Sequence, residues 1–255
     1  MTLAHPAPVL CYQIAHDEVR MLIAIPDPLP SVSSGALKSF ILNSILPQLP
    51  EFFKEPVTAA VEEQLRSVPC RILPTDAIQI PGAFALGDSL NMRHPLTGGG
   101  MTVAFTDVTV VAQLLAPLKT INDRQQVAKV LESFYSMRKN TSSTINILAQ
   151  ALYDVFCGAS ANPALGPMRE GCFAYFPHYG SDCLAILSGL NPSPHSLVFH
   201  FFAVAGFTVW KLLTPYPTIP KIFQGFSTFK AAFFVISPLI SQNYLARGFK
   251  KFIAK

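Results

Sequence analysis

After Asp182 the chain contains no acidic residue. The charged residues beyond it are Lys211, Lys221, Lys230, Arg247, Lys250, Lys251 and Lys255, a charge of +7 on the last 73 positions. The first 182 residues hold 12 basic and 15 acidic side chains, a net −3. The tail also contains two apolar stretches, 196–213 and 231–246, separated by Pro215, Pro217 and Pro220. The first is at the lower edge of what crosses about 30 Å of hydrocarbon; the second is shorter and holds Pro238. Apolar segments with basic and no acidic punctuation suit a lipid surface. Two marginal segments fit a helical hairpin dipping into one leaflet better than two clean spans. A nucleic-acid partner would want a dense basic face, and none is visible.

Composition sharpens this. Hydrophobic residues are 50% of the 255, charged residues 13%, and the mean hydropathy is +0.37. Ordinary soluble domains carry about 25% charged residues, and disordered chains are poorer in apolar residues. Disorder is excluded and a fully soluble enzyme disfavoured. The five cysteines, Cys11, Cys70, Cys157, Cys172 and Cys183, are odd in number and form no C-x-x-C. They read as reduced thiols on the cytosolic side of a membrane, with neither a disulfide framework nor a zinc site. The first ten residues, MTLAHPAPVL, lack the basic and apolar regions of a signal peptide.

Residues 9–15 and 19–25 are β-forming runs around a polar turn, a predicted hairpin. An isolated hairpin is barely stable, so a larger sheet is expected, with further strands near 70–73 and 82–86. Helical spacing predicts helices over 35–46, 56–66, 101–115 and, as one long helix capped by Asp123 and stopped by Gly158, 123–157.

The segment that carries chemistry is GDSLNMRHPLTGGGMTVAF, residues 87–105. An apolar run ends at Gly87, Asp88 follows, and Gly98, Gly99 and Gly100 open a helix. Open α/β sheets bind ligands at such strand ends. Backbone N–H groups uncovered by side chains, at the positive end of a helix, suit a polar or anionic cofactor group. Asp88 is placed to accept hydrogen bonds from cofactor hydroxyls. Taken singly, G-D-S is an ordinary turn and a triple glycine no better; the ordered string is the signal.

The string resembles the second FAD motif of flavoprotein monooxygenases, and NMRHPLTGGGMTVAF is similar to the squalene monooxygenase (squalene epoxidase) family in particular. LPQLPEFFKEP (46–56), LRSVPCRILP (65–74), NILAQALYDVF (146–156) and HFFAVA (200–205) carry the same resemblance. It implies FAD-dependent epoxidation of squalene by O2 to (S)-2,3-oxidosqualene in sterol biosynthesis. The flavin carries the oxygen chemistry, so no catalytic side chain and no metal are required. It implies electrons from a separate NADPH–cytochrome reductase and an endoplasmic reticulum membrane, with the catalytic part facing the cytosol. By position, Asp88 would bind the ribityl chain. Gly98, Gly99, Gly100 and Met101 would present N–H groups near the pyrimidine end of the flavin. Pro95 and Leu96 would lie beside the ring, Leu96 on the substrate side. Arg93 would supply positive charge to the cofactor or serve a structural ion pair. Phe156, Phe173, Phe176 and His200 match positions lining an apolar substrate pocket, although residue type alone assigns each to packed core.

The family's G-x-G-x-x-G motif, the arginine-bearing helix after it and the middle D-G motif are not in this sequence. The fold class expected is therefore α/β by parentage, here a helix-dominated α+β. It would be an incomplete FAD-binding monooxygenase fold, the C-terminal half of a family member with part of the substrate-domain sheet. Residues 1–182 would form the FAD/substrate portion and 183–255 a membrane-associating helical tail. The stretch between Cys183 and His200 reads as a few residues short. A non-catalytic membrane-bound remnant and another FAD-dependent hydroxylase are the alternatives.

Overall fold

A computed structural model describes residues 2–6, 8–25, 28–63, 65–75, 82–160, 162–188 and 193–242. The chain divides into two compact units, one comprising Met1–Pro69 with Phe156–Ala161, the other Cys70–Val155 with Asn162–Lys255.

The first unit holds the hairpin. Strands β1 (Val9–Gln13) and β2 (Val19–Ile23) pair antiparallel with Val9 opposite Ile23 and Tyr12 opposite Arg20. Helix α1 (Ala36–Phe40) continues as a π turn (Ile41–Ile45) and a 3-10 turn (Leu46–Gln48). After a second 3-10 turn comes α2 (Lys54–Glu63). Val9 from the hairpin, Leu37, Ile41 and Ile45 from the helical run, and Val57 and Val61 from α2 form one buried cluster. Among the described residues the hairpin is thus backed by helices, with one bridge from Thr2 to Val9 added at its edge. Among the described residues the sheet has two strands. Of the further strands expected, 70–73 contributes a single bridge, Leu73 to Met92, and 82–86 forms none of the named strands. Pro69 and Pro74 bracket the first run and cannot donate to a ladder.

The second unit is helical. Helix α3 (Gly100–Leu115) packs on α4 (Arg124–Met137). Asp123 caps α4 as the sequence predicts, accepting from the N–H groups of Gln125 and Gln126 at 3.1 Å. The long helix expected over 123–157 runs as α4 and α5 (Lys139–Cys157), joined through Arg138, which keeps helical φ −66° and ψ −19° and whose N–H still donates to the Phe134 carbonyl at 3.0 Å. The Arg138 side chain is drawn inward to an ion pair, and Asn140 to Thr144 are weak helix formers.

Three further helices follow: α6 (Gly166–Ser188), α7 (Pro194–Leu213) and α8 (Ile219–Ile240). Helix α6 runs unbroken past Asp182, where the sequence placed the start of the tail. Helix α7 packs between α6 and α8. The approach to α6 is close at Gly171, where any Cβ would collide with the Thr208 side chain. The approach to α8 is close at Gly225, where a Cβ would lie 3.1 Å from Val209 Cγ1. Helix α8 begins well before the expected 231, because Pro220 in a first turn has no N–H to lose. It also continues through Pro238. The predicted positions 243–246, and Arg247, Lys250, Lys251 and Lys255, lie outside the described residues, as do 189–192 of the stretch read as short. Both α7 and α8 are long and apolar enough to cross a membrane by length and composition. Cys11, Cys70, Cys157 and Cys172 form no disulfide.

Candidate functional site

The string 87–105 folds as a chain of tight turns. Gly87 has φ 64° and opens a 3-10 turn whose Leu90 and Asn91 N–H groups donate to the Gly87 carbonyl. Only glycine takes such a φ without strain. The apolar run before it is half-buried and not fully enclosed. A second 3-10 turn, Pro95–Thr97, is closed by the Gly98 N–H donating to the Pro95 carbonyl at 3.0 Å. The Gly98 donor, expected to face a cofactor, is therefore used within the turn. Gly99 is buried against α5, where a Cβ would stand 2.5 Å from Ile145 Cγ2. The N–H groups of Gly100 and Met101 begin α3, which has no side-chain cap. As first-turn donors they lack intrahelical acceptors.

Asp88 and Arg93 meet at this helix start. A Cβ built on Gly100 would lie 3.9 Å from Asp88 Oδ1 and 3.6 Å from Arg93 Nη1. The missing side chain leaves a notch flanked by a carboxylate and a guanidinium. Asp88 is exposed and Arg93 is buried. Arg93 Nε donates to Asn146 Oδ1 at 2.6 Å, and Nη2 donates to the carbonyl and Oδ1 of Asn91 at 2.7 Å. Asn146 Nδ2 in turn donates to Asn91 Oδ1 at 3.1 Å. Burial pushes the Arg93 pKa down, while the Asp88 charge opposes the shift. Of the two roles open for Arg93, a direct Asp88 salt bridge is not among the ion pairs within 4.0 Å of the described residues. Nearby, Thr97 Oγ1 is buried with no hydrogen-bond partner among the described residues. Buried hydroxyls normally have one. Carboxylate, guanidinium, unclaimed helix N–H groups and an orphan hydroxyl form a donor and acceptor set that fits a polar cofactor such as a flavin.

His94 was not anticipated from the sequence. It is buried, stacks on Tyr153 with ring centroids 4.1 Å apart, and accepts the Leu96 N–H at Nδ1 over 3.2 Å. The neutral ring therefore carries its proton on Nε2. Burial pushes the His94 pKa below its ordinary value. Pro95 is exposed and Leu96 half-buried on the adjoining turn, and Met101 is 71% exposed.

A second feature lies further along α5. Leu148, Leu152 and Val155 of α5, Met168, Cys172 and Phe176 of α6, and Leu197, His200, Phe201 and Val204 of α7 line an apolar cavity. Its enclosed volume is about 50 Å³, a narrow slot well short of the roughly 300–1,000 Å³ of drug-sized ligand sites. His200 is its most polar side chain, and its Nδ1 lies 3.1 Å from the Tyr175 hydroxyl. Of the four predicted pocket residues, Phe176 and His200 line this cavity. Phe173 packs edge-on against Phe176 at 6.2 Å, outside the lining. Phe156 is buried in the residues grouped with the first unit. The aliphatic wall escaped the sequence reading, although spacings 148-152-155 and 197-201-204 mark helix faces.

A family model described as "SE: Squalene epoxidase" matches residues 1–224. The chain is 45% identical to "Squalene epoxidase 2, mitochondrial" of Arabidopsis thaliana over 98% of its own length and 43% of the relative's. It is 44% identical to squalene monooxygenase SE2 of Panax ginseng over 97% of the chain and 46% of the relative. It is 46% identical to a squalene epoxidase of Aspergillus fumigatus over 92% of the chain and 50% of the relative. The chain spans about half the length of the curated relatives it matches. With a family model covering most of its length, and the glycine string and apolar cavity in one folded unit, this chain belongs to the squalene epoxidase family.

Proposed function

We propose that this chain supplies one side of the cofactor site and the hydrocarbon pocket of an FAD-dependent squalene monooxygenase, which converts squalene to (S)-2,3-oxidosqualene. The observation that carries the reading is the pairing of a polar notch at the start of α3 with an apolar cavity on the same helix, α5. When bound and reduced, FAD supplies the activation of O2 from which one oxygen atom reaches a terminal double bond. Asp88 accepts hydrogen bonds from hydroxyls of the cofactor chain. Gly100 and Met101 donate backbone N–H groups, which favour negative charge at the α3 start. Arg93, fixed by Asn91 and Asn146, adds positive charge beside them. Leu96 and Pro95 form the rim toward substrate. Phe176 and His200, with the aliphatic wall, hold the hydrocarbon and exclude water.

The electron donor in this reading is an NADPH–cytochrome reductase. The apolar C-terminal helices attach the protein to lipid, and the endoplasmic reticulum membrane is the location proposed, although one relative carries "mitochondrial" in its name. The test is a chimera in which this chain replaces the matched segment of the Arabidopsis relative. We expect it to form oxidosqualene from squalene, and the same chimera with Asp88→Ala to lose product. A folded, membrane-bound chimera that makes no oxidosqualene would overturn the reading in favour of a non-catalytic protein. Turnover of a phenol in place of squalene would favour another flavin hydroxylase.

A further inference from the structure

His94 makes two contacts at once, one with the Pro95–Thr97 turn and one with α5. As the cap of that turn, its Nδ1 accepts the Leu96 N–H at 3.2 Å. The face of the same ring lies on Tyr153 of α5, with centroids 4.1 Å apart and planes 30° apart. Caps are commonly Asn, Asp, Ser or Thr. Any of these would accept the Leu96 N–H, but none has a ring to stack. The histidine does both, and it is only 8% exposed.

The chain on either side is anchored separately. Before His94, Met92 exchanges backbone hydrogen bonds with Leu73 at 3.0 Å, and Arg93 is tied to Asn91 and Asn146. After the turn, Gly99 is seated on Ile145 of α5. Between these anchors, the Gly98 N–H to the Pro95 carbonyl closes the turn on itself. That bond shapes the turn but does not place it on α5; the His94 ring does. Tyr153 lies seven residues beyond Asn146, about two turns and 10 Å along one face of α5. It also follows Leu152, which lines the cavity. The ring therefore links the rim to the helix that carries both the polar notch and the cavity wall.

We propose that His94 is a positioning residue for oxygen transfer. Its ring fastens the Leu96 rim to Tyr153 and so fixes where the reacting end of the hydrocarbon lies against the flavin. This inference rests on the rim role proposed above for Leu96 and names the residue that holds that rim. His94 acts through Leu96, so its loss should spare binding and slow turnover. Small misplacements of reacting groups cost up to about 100-fold in rate.

The first measurement needs no activity. In the full chain in detergent, His94→Ala should speed hydrogen exchange at the Leu96 amide at least about tenfold. His94→Asn keeps an acceptor at the capping position and should retain most of the protection. Unchanged exchange in His94→Ala, or equal loss of protection in His94→Asn, would overturn the proposal. The second measurement uses the chimera with the Arabidopsis relative. His94→Ala should lower kcat, per bound flavin, about 10- to 100-fold, with KM for squalene within about twofold and flavin content unchanged. A purely structural role would lower the yield of folded, flavin-bound chimera and leave kcat per flavin intact, which would overturn the proposal. If the parent chimera forms no oxidosqualene, the functional reading fails and takes this role with it. If the parent works and His94→Ala turns over equally fast, only this inference fails.

Discussion

Arg138 and Asp107 face each other fork to fork in the interior of the second unit. Arg138 Nε donates to Asp107 Oδ1 at 2.8 Å and Nη2 to Oδ2 at 2.7 Å, and both side chains are 2% exposed. Nη1 donates to Thr75 Oγ1 at 2.8 Å. The pair fastens the middle of α3 to the junction of α4 and α5. Removing one partner leaves a buried charge without its counterion, which costs about 3–5 kcal/mol. Asp107→Ala is therefore expected to lower the unfolding free energy by about that amount. Asp107→Leu with Arg138→Leu should recover most of it, as measured by denaturant titration in detergent.

The close contact of α6 with α7 gives a second prediction. Gly171→Ala places a methyl group on the Thr208 side chain and is expected to destabilise by about 1–3 kcal/mol. Thr208→Ala added to it should restore part of the loss, because it removes the atoms the methyl group meets. A double-mutant cycle on thermal unfolding checks the coupling.

For the proposed cofactor site, the chimera with the Arabidopsis relative provides the assay. Asp88→Ala should weaken flavin retention by roughly 10- to 100-fold, the loss expected for hydrogen bonds to a charged group. Arg93→Gln should weaken it less, since Asn91 and Asn146 can still pair with an amide. Flavin absorbance after gel filtration reads both. Retained flavin in Asp88→Ala would remove Asp88 from the site.

His94 gives a dependence on pH. Its folded pKa is pushed below the ordinary 6.5 by burial. As pH falls through 6.5, the unfolded chain takes up a proton that the folded ring refuses. Stability contributed by the neutral ring is therefore complete above that pH and is lost below it. Melting temperature should fall between about pH 7 and pH 5, and His94→Gln should flatten that part of the profile.

The sequence made the local punctuation legible. The Asp123 cap, the hairpin around the 16–18 turn, and the opening of α3 at the glycine triplet all follow from residue chemistry that acts over a few positions. What it hid was set by distant partners. The ion-pair partner of Arg138 is Asp107, 31 residues away, which no local propensity reveals. The use of the Gly98 N–H within its own turn could be seen only once Pro95 was placed. In the cavity, Phe176 and His200 were found by resemblance, while Leu148, Leu152 and Met168 were too ordinary as residue types to be singled out. Asn146 was passed over because an asparagine inside an apolar helix carries no signal until Arg93 is beside it.

Helix α5 ties the two halves of the proposed chemistry to one ruler. Asn146 grips Arg93 at the notch, and Leu152, six residues on, lines the cavity. At 1.5 Å per residue that separation is about 9 Å along a stiff rod, fixed by counting residues and not by loop conformation. A single residue inserted between them would advance the cavity wall by about 1.5 Å and swing it by about 100°. Length and phase of this one segment, more than the identity of any wall residue, set how far the apolar cavity lies from the polar notch.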